Sequence, residues 1–381
     1  MRFNSIASVK MRSLKRLKKT TRLITVGFFI VFTALSCGRD ANYPRNIILF
    51  IGDGMGIAHI TAGKIARGTL NLERFSVSGM VTTHSENELI TDSAAAATAL
   101  ATGHKTYNRA VSISADKNPL KTLFEFAEEL GKSTGVVVTS SVTHATPAAF
   151  FAHVEDRRQH ADIAEQIVNS GLDVMIGGGW TYFIPKSNAG SRRQDNKNLL
   201  KSLETRMPVV LSYDKLPGQG KKLAALLAPD GLPKSADRDY SLAELTEAAI
   251  RILSKNRKGF VLLIEGSQID WAAHEQDHEG IIAEMIDFDG AVGIGFDFAQ
   301  KHGSTLIIVT ADHETGGFAV HDGSMKTKQV TSTGFTTTGH TASMVPIFAF
   351  GPGSSPFSGI QDNARIGQIL IDLLLKREIK N

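Results

Sequence analysis

The chain of 381 residues holds one cysteine, Cys37, so no intrachain disulfide can brace it and a disulfide-stapled scaffold is excluded. Long apolar runs are also missing. The longest stretch, Leu23–Leu35 (LITVGFFIVFTAL), spans 13 residues, short of the roughly 20 a membrane-spanning helix requires. No internal repeat of solenoid or propeller period is visible. Glycine-rich Gly52–Gly56 (GDGMG) lacks the GK[ST] ending of a phosphate-cradling P-loop. An excess of one charge is lacking too, once the N-terminus is set aside. The net charge of +4 is more than supplied by eight basic residues and no acid within residues 1–36. The remainder is mildly acidic, which gives no reason to expect a nucleic-acid partner.

What is present is an export-type leader followed by α/β patterning. Basic residues up to Arg22, the 13-residue apolar core and Ala34-Leu35-Ser36-Cys37 form a signal segment whose end resembles a lipobox. Ala34 stands where Leu is more common. Residues 1–37 are therefore expected to direct export, to the periplasm or to an outer-membrane-anchored lipoprotein acylated at Cys37. Simple cleavage to a soluble product and an uncleaved anchor are the alternatives, and Met1 and Met11 are both candidate starts. Residues 38–45 read as a short linker and 46–381 as one catalytic domain.

Within that domain, Asn46–Ile51, Thr134–Thr139, Val174–Ile176, Phe260–Ile264 and Thr305–Val309 are apolar runs of strand length, as in parallel sheets buried on both faces. Helix-period segments lie between and after them: Ala94–Ala101, Leu120–Leu130, Ala161–Val168, Leu242–Leu253, Ile281–Gln300 and Arg365–Leu375. The alternation predicts an α/β fold, a mostly parallel central sheet sandwiched by helices. Asn188–Asp239, polar and rich in Lys, Gly and Pro, is expected to be surface loop with one short strand at Val209–Leu211.

Polar residues stand just beyond strand after strand: Asp53, His144, Glu265 and the pair Asp312-His313. Ligands bind at the carboxyl ends of strands in open parallel sheets. A solitary Asp in such a place is ordinarily a helix N-cap, but four segments doing the same thing converge on one crevice. Carboxylates mixed with imidazoles, without thiolate, suit zinc beside a harder ion such as magnesium. Asp270 and His274 are four apart, on one face of a helix; such pairs are also common as surface contacts. Asp92-Ser93 precedes Ala94–Ala101, so the serine lies at a helix N-terminus, where free amides favour an anion. Plain capping is the competing explanation.

Taken together, FIGDGMG, TDSAAAATALATG, HATPAAFFAHVEDR, LLIEGSQIDWAAHE, TADHETGG and TTGHTA resemble the motif set of the alkaline phosphatases, in that family's order. The resemblance implies hydrolysis of small phosphate monoesters with inorganic phosphate as product. It implies Ser93 as the phosphorylated nucleophile, Arg157 as the group gripping phosphate and Asp92 as the carboxylate orienting it. Two zinc ions are implied, one on Asp270, His274 and His340, the other on Asp53, Asp312 and His313 with Ser93. A third ion, magnesium, would take Asp53, Thr146 and Glu265. The remaining histidines, His59 and His153 among them, are then structural or surface residues. Two positions depart from the commoner pattern: His144, near the third ion, where some members have Asp, and Trp271, where Lys or His is commoner. Only 27 residues separate Asp312 from His340, implying a compact form; a homodimer is left open. Related phosphodiesterases or sulfatases are the alternative enzyme reading, and a lipid-anchored metal- or phosphate-binding protein without turnover is the alternative outside enzymes.

Overall fold

Residues 43–379 are described by the computed structural model; the export segment, with Met11 and Cys37, lies outside the described residues, as does most of the linker. The chain begins its fold with β1 (Asn46–Gly52), α1 (Ile57–Arg67), β2 (Val77–Thr82), α2 (Ser93–Thr102), α3 (Leu123–Glu129), β3 (Ser133–Ser141) and α4 (Ala145–Ala148). It continues through α5 (His160–Asn169), β4 (Val174–Gly178), α6 (Leu199–Glu204), β5 (Val209–Val210), β6 (Leu223–Leu226), α7 (Leu242–Leu253), β7 (Phe260–Gly266), α8 (Gln268–His274) and α9 (His278–His302). The last part holds β8 (Thr305–Thr310), β9 (Glu314–Thr315), β10 (Ala319–Ser324), β11 (Gln329–Gly334), β12 (His340–Thr341), β13 (Val345–Phe350), β14 (Gly359–Asp362) and α10 (Asn363–Leu374).

Ten of these strands form one sheet in the order β14-β2-β13-β8-β1-β7-β3-β4-β6-β5. All neighbours run parallel except β13, antiparallel to both β2 and β8. This is the α/β architecture expected from the alternation of apolar runs. Every residue of β1, β3, β7 and β8 is buried, because helices cover both faces. α9 packs with α1, α7 and α8, while α2 packs with α10, α3 and α4. Each buried Ile, Leu or Phe of β1 contributes roughly 1.5–3 kcal/mol, and the all-apolar string fits only a strand with no wet face.

The expectation of loop across Asn188–Asp239 needs correction. That stretch contains α6 and the fully buried strand β6 (LAAL), which pairs with β4 and so joins β5 to the sheet. Four small and aliphatic residues are too few to display a period, and sheet pairing, not propensity, makes them a strand. The expected strand at Val209–Leu211 is β5, one residue shorter. Arg193 in the same stretch is wholly buried. Its guanidinium reaches Asp195 twice at 2.7 Å, Glu165 at 2.8 Å and the carbonyls of Ala161 and Tyr182 at 3.1 and 3.2 Å. Those bonds fasten the polar segment to α5.

Candidate active site

The strand order places the carboxyl ends of β8, β1, β7 and β3 side by side, about 4.8 Å apart. Asp312 and His313 follow β8, Asp53 follows β1, Glu265 is the penultimate residue of β7, and His144 and Thr146 follow β3. All but His144 are buried. Three groups of side chains each bring ligand atoms within 4.8 Å of one another: Asp53, Asp312 and His313; Asp270, His313 and His340; and Asp53, His144 and Glu265. His274 lies beside the second group, its Nε2 3.3 Å from Asp270 Oδ1. Ser140 Oγ donates to Glu265 at 3.2 Å, and Thr146 and Ser267 lie beside the same carboxylate. The metal-ligand candidates singled out from the sequence thus meet in one region or adjoin it, and Trp271 packs its ring against that of His144, 6.1 Å between centroids.

The electrostatics are those of a site built for cations. Burial, then the negative charges of Asp312, Asp270 and Glu265, push the Asp53 carboxyl well above its ordinary range. Burial carries Glu265 up to about 7, and burial with the Asp270 charge carries Asp312 up to about 6. Asp270 is the exception. Burial opposes its ionisation too, yet the hydrogen bond from His274 and the imidazoles of His313 and His340 around it hold it well below the usual range. The same bond holds His274 up at about 9. Both oxygens of Asp53, Oδ2 of Asp312, Oε1 of Glu265 and Oγ1 of Thr146 are buried without a hydrogen-bond partner. Buried polar atoms without partners are costly, and oxygen and imidazole donors around them fit divalent cations.

Second partners aim the imidazoles. Nδ1 of His274 pairs with the Thr338 carbonyl at 2.5 Å and Nδ1 of His340 with the Thr91 carbonyl at 2.9 Å. A carbonyl only accepts, so each Nδ1 carries a proton and Nε2 is the atom each ring turns toward Asp270; His274 becomes a ligand when Nε2 gives up the proton it donates there. For His313 the partner is Thr315, which sequence reasoning missed. Thr315 Oγ1 donates to Asp270 Oδ1 at 2.5 Å and lies 3.2 Å from His313 Nδ1. With its one proton given to Asp270, it accepts from Nδ1–H and leaves His313 Nε2 unprotonated. Glu314 was missed too. It accepts from the Phe318 amide at 3.1 Å and from the Thr341 hydroxyl, holding β9 against β12 and so His340 near Asp270. Both lie in the Asp312-His313-Glu314-Thr315 run, and polar residues buried directly behind two candidate ligands were the available signal.

Ser93 opens α2, all ten residues of which are buried. Its small side chains let the helix sink into the core, and Asp92 caps it, accepting from Ala95 N at 3.1 Å. Ser93 Oγ is 3.2 Å from His313 Nε2. Asp92 Oδ2 accepts from Arg157 Nη1 at 3.1 Å, and Arg157 Nη2 meets His144 Nε2 at 3.1 Å. Burial, with the neighbouring Arg157 charge, lowers His144 to about 3, so the ring is neutral and its Nε2 accepts. Asp92 is therefore both helix cap and arginine tether; the capping explanation and the functional one are compatible. His59, buried, accepts from Gly56 N at 3.1 Å, and His153 binds the Ser112 carbonyl at 2.7 Å, which are structural duties.

A serine at a buried helix N-terminus, a tethered arginine and three clusters of cation-binding groups at the carboxyl edge of a parallel sheet define a metal-dependent α/β hydrolase. The family model described as Alkaline phosphatase matches residues 44–325. Alkaline phosphatase 3 of Bacillus subtilis (strain 168) is 33% identical, over 85% of this chain and 87% of its own. The solved alkaline phosphatase of the Antarctic bacterium TAB5 superposes with a TM-score of 0.81 at 37% identity, covering 88% of this chain and 98% of that one. A His-to-Glu variant of the TAB5 enzyme, with magnesium bound in its M3 site, superposes with a TM-score of 0.80 at 36% identity, over 88% and 99% of the two chains. The chain belongs to the alkaline phosphatase family of phosphomonoester hydrolases.

Proposed function

We propose that the chain hydrolyses small phosphate monoesters through a phosphoserine formed on Ser93, releasing inorganic phosphate. Asp270, His274 and His340 would hold one zinc; Asp53, Asp312 and His313 a second; and Asp53, Thr146 and Glu265 magnesium, with His144 beside it. When bound, these ions supply positive charge that lowers the pKa of a hydroxyl and neutralises the departing oxygen. The chain's own residues do the positioning. Ser93 stands where the α2 amides favour an anion, and the buried site excludes water from around its hydroxyl. Arg157, tethered by Asp92 and by neutral His144, offers a planar fork matched to two non-bridging phosphate oxygens. The observation that carries this reading is Ser93 Oγ lying against the convergent carboxylates and imidazoles, beside that arginine.

Two variants test it. Ser93→Ala should abolish the phosphoenzyme trapped at acidic pH while keeping bound zinc nearly unchanged, and a trapped phosphate on any other residue would refute the assignment. Arg157→Ala should lose far more activity on a monoester than on a diester, whose blocked oxygen cannot complete the bidentate grip. Equal losses would reduce the arginine to a support. The leader adds an export reading: the mature chain is a lipoprotein acylated on Cys37, periplasmic or outer-membrane anchored, where a broad phosphatase can scavenge phosphate without consuming cytosolic esters. Mass spectrometry of the mature N-terminus checks the acyl group.

A further inference from the structure

The amino ends of the same strands carry a different chemistry. Arg45 precedes β1, Arg257 and Lys258 precede β7, Lys132 precedes β3, and Lys221 and Lys222 precede β6. With β1, β7, β3, β4 and β6 adjacent in that order, these cations form a row along one end of the sheet. Lys132, Lys221, Lys222 and Arg257 border a cleft of about 560 Å³ that also takes Lys255, with only Glu128 and Asp173 as acids. Asp173 is paired with Lys222 at 3.0 Å. The row is crowded. Lys132 donates to the carbonyls of Arg45 and Lys258 at 2.7 and 2.8 Å, and burial with the repulsion of Lys376 and Arg45 lowers it to about 8. Such a concentration is unexpected on a chain whose part beyond the leader is mildly acidic.

Two further facts choose the partner. The polypeptide enters the fold at this end, through Arg45 itself, eight residues after Cys37. The active site lies at the opposite ends of β1 and β3, which run seven and nine residues, a separation of about 20–30 Å. We propose that this basic face docks the protein on an anionic lipid surface beside its own anchor, holding the active-site mouth away from the membrane and open to soluble esters. The choice of a membrane as partner rests on the anchoring reading given above. Each cation near such a surface contributes on the order of 1 kcal/mol, about a fivefold change in binding, and the attraction is screened by salt.

The test uses the mature protein on vesicles of phosphatidylglycerol mixed with phosphatidylcholine, and on phosphatidylcholine alone. A membrane-impermeant amine reagent is applied and each lysine followed by peptide mass spectrometry. Lys221, Lys255 and Lys258 should be labelled at least fivefold more slowly on the anionic vesicles, with protection lost in 0.5 M salt (a screening length of roughly 4 Å). Lys326 and Lys328, exposed on the β10–β11 hairpin, should be unaffected. Equal labelling on both vesicles, or protection of the hairpin instead, overturns the proposal. The triple variant Lys221→Gln, Lys255→Gln, Arg257→Gln should lose the anionic preference by about 100-fold while turning over a soluble monoester normally. Retained preference overturns the assignment to these residues. If Cys37 carries no acyl group, the soluble protein is added to the same vesicles; the same protection pattern sustains the docking face and removes only the anchor, and its absence removes the face as well. Protection by single-stranded RNA at lower concentration than by anionic vesicles overturns it in favour of a nucleic-acid surface.

Discussion

At the scale of single residues, Thr315 shows how a group that touches neither substrate nor ion sets the site. Its hydroxyl joins Asp270 to His313, which belong to the two proposed zinc sets, so one hydrogen-bond chain orients a ligand of each. Thr315→Val keeps the shape and removes that chain. A buried imidazole N–H is left unpaired and Asp270 loses a donor, a cost of about 1–3 kcal/mol. Partners of this kind are worth 10–100-fold in metal affinity. The expected result is zinc lost at 10–100-fold lower chelator concentration, with Thr315→Ser restoring most of the difference; a Val variant that keeps its zinc would show the hydroxyl to be incidental. Arg193 makes a structural counterpart. Arg193→Ala strips charge-assisted bonds from Asp195 and Glu165, partners partly open to water, and should cost about 2–3 kcal/mol in denaturant unfolding with kcat preserved.

Elements matter here chiefly through α2, whose position is the position of Ser93. An alanine-rich helix has little side chain with which to define its place, so neighbours must approach its backbone. α10 does so at Gly367, where a Cβ would come within 2.3 Å of the Ala99 carbonyl and 2.7 Å of Gly103 N. Neither backbone atom can move aside cheaply. Gly367→Ala should therefore push the helices apart, costing about 1–3 kcal/mol and lowering kcat more than KM, because Ser93 shifts relative to the metal ligands. Thermal unfolding with steady-state kinetics checks both halves, and an unchanged kcat would show that α2 is held from elsewhere. Gly54 has a comparable role at the end of β1. Its φ of +72 and the approach of Asp270 Cα to within 2.9 Å of a Cβ built there require glycine, so the GDGMG segment serves the packing of β1 against α8.

For the whole molecule, the cation site and the fold are coupled through pH. The unfolded references are 4.5 for Glu265 and 3.8 for Asp312, and the metal-free folded values are about 7 and about 6. A carboxyl whose folded pKa is raised favours the fold when protonated. That contribution is complete below the unfolded value and is lost as pH climbs through the folded one. His274, raised from 6.5 to about 9, likewise contributes below 6.5 and loses its contribution as pH rises through 9. The buried imidazoles of His144 and His59, lowered to about 3 and about 4, act the other way and favour the fold increasingly until pH 6.5. Chelated protein should thus lose stability from about pH 6.5 to pH 9, whereas protein loaded with zinc and magnesium, whose ligands must be deprotonated, should gain most from its ions at the alkaline end. Melting curves with and without metal across that range decide it. A chelated protein that grows steadily more stable toward pH 9 would contradict the charge arrangement.

Much of this protein was legible in one dimension because its chemistry follows its strands. NIILFI, TGVVVT, FVLLI and TLIIV mark themselves by unbroken apolar character, and Asp53, His144, Glu265, Asp312 and His313 come within a few residues of their ends, so local chain direction suffices to aim them at one edge. Tertiary structure alone decided the rest. The order β8-β1-β7-β3 is not the order of the sequence, and only that permutation makes neighbours of Asp312, Asp53 and Glu265. The four-residue strand β6, the buried Arg193, Thr315 behind its two ligands and the cationic row from Arg45 to Lys222 each depend on partners far along the chain. No local period or propensity encodes such pairings, because their free energy arises only when the sheet has brought those segments together.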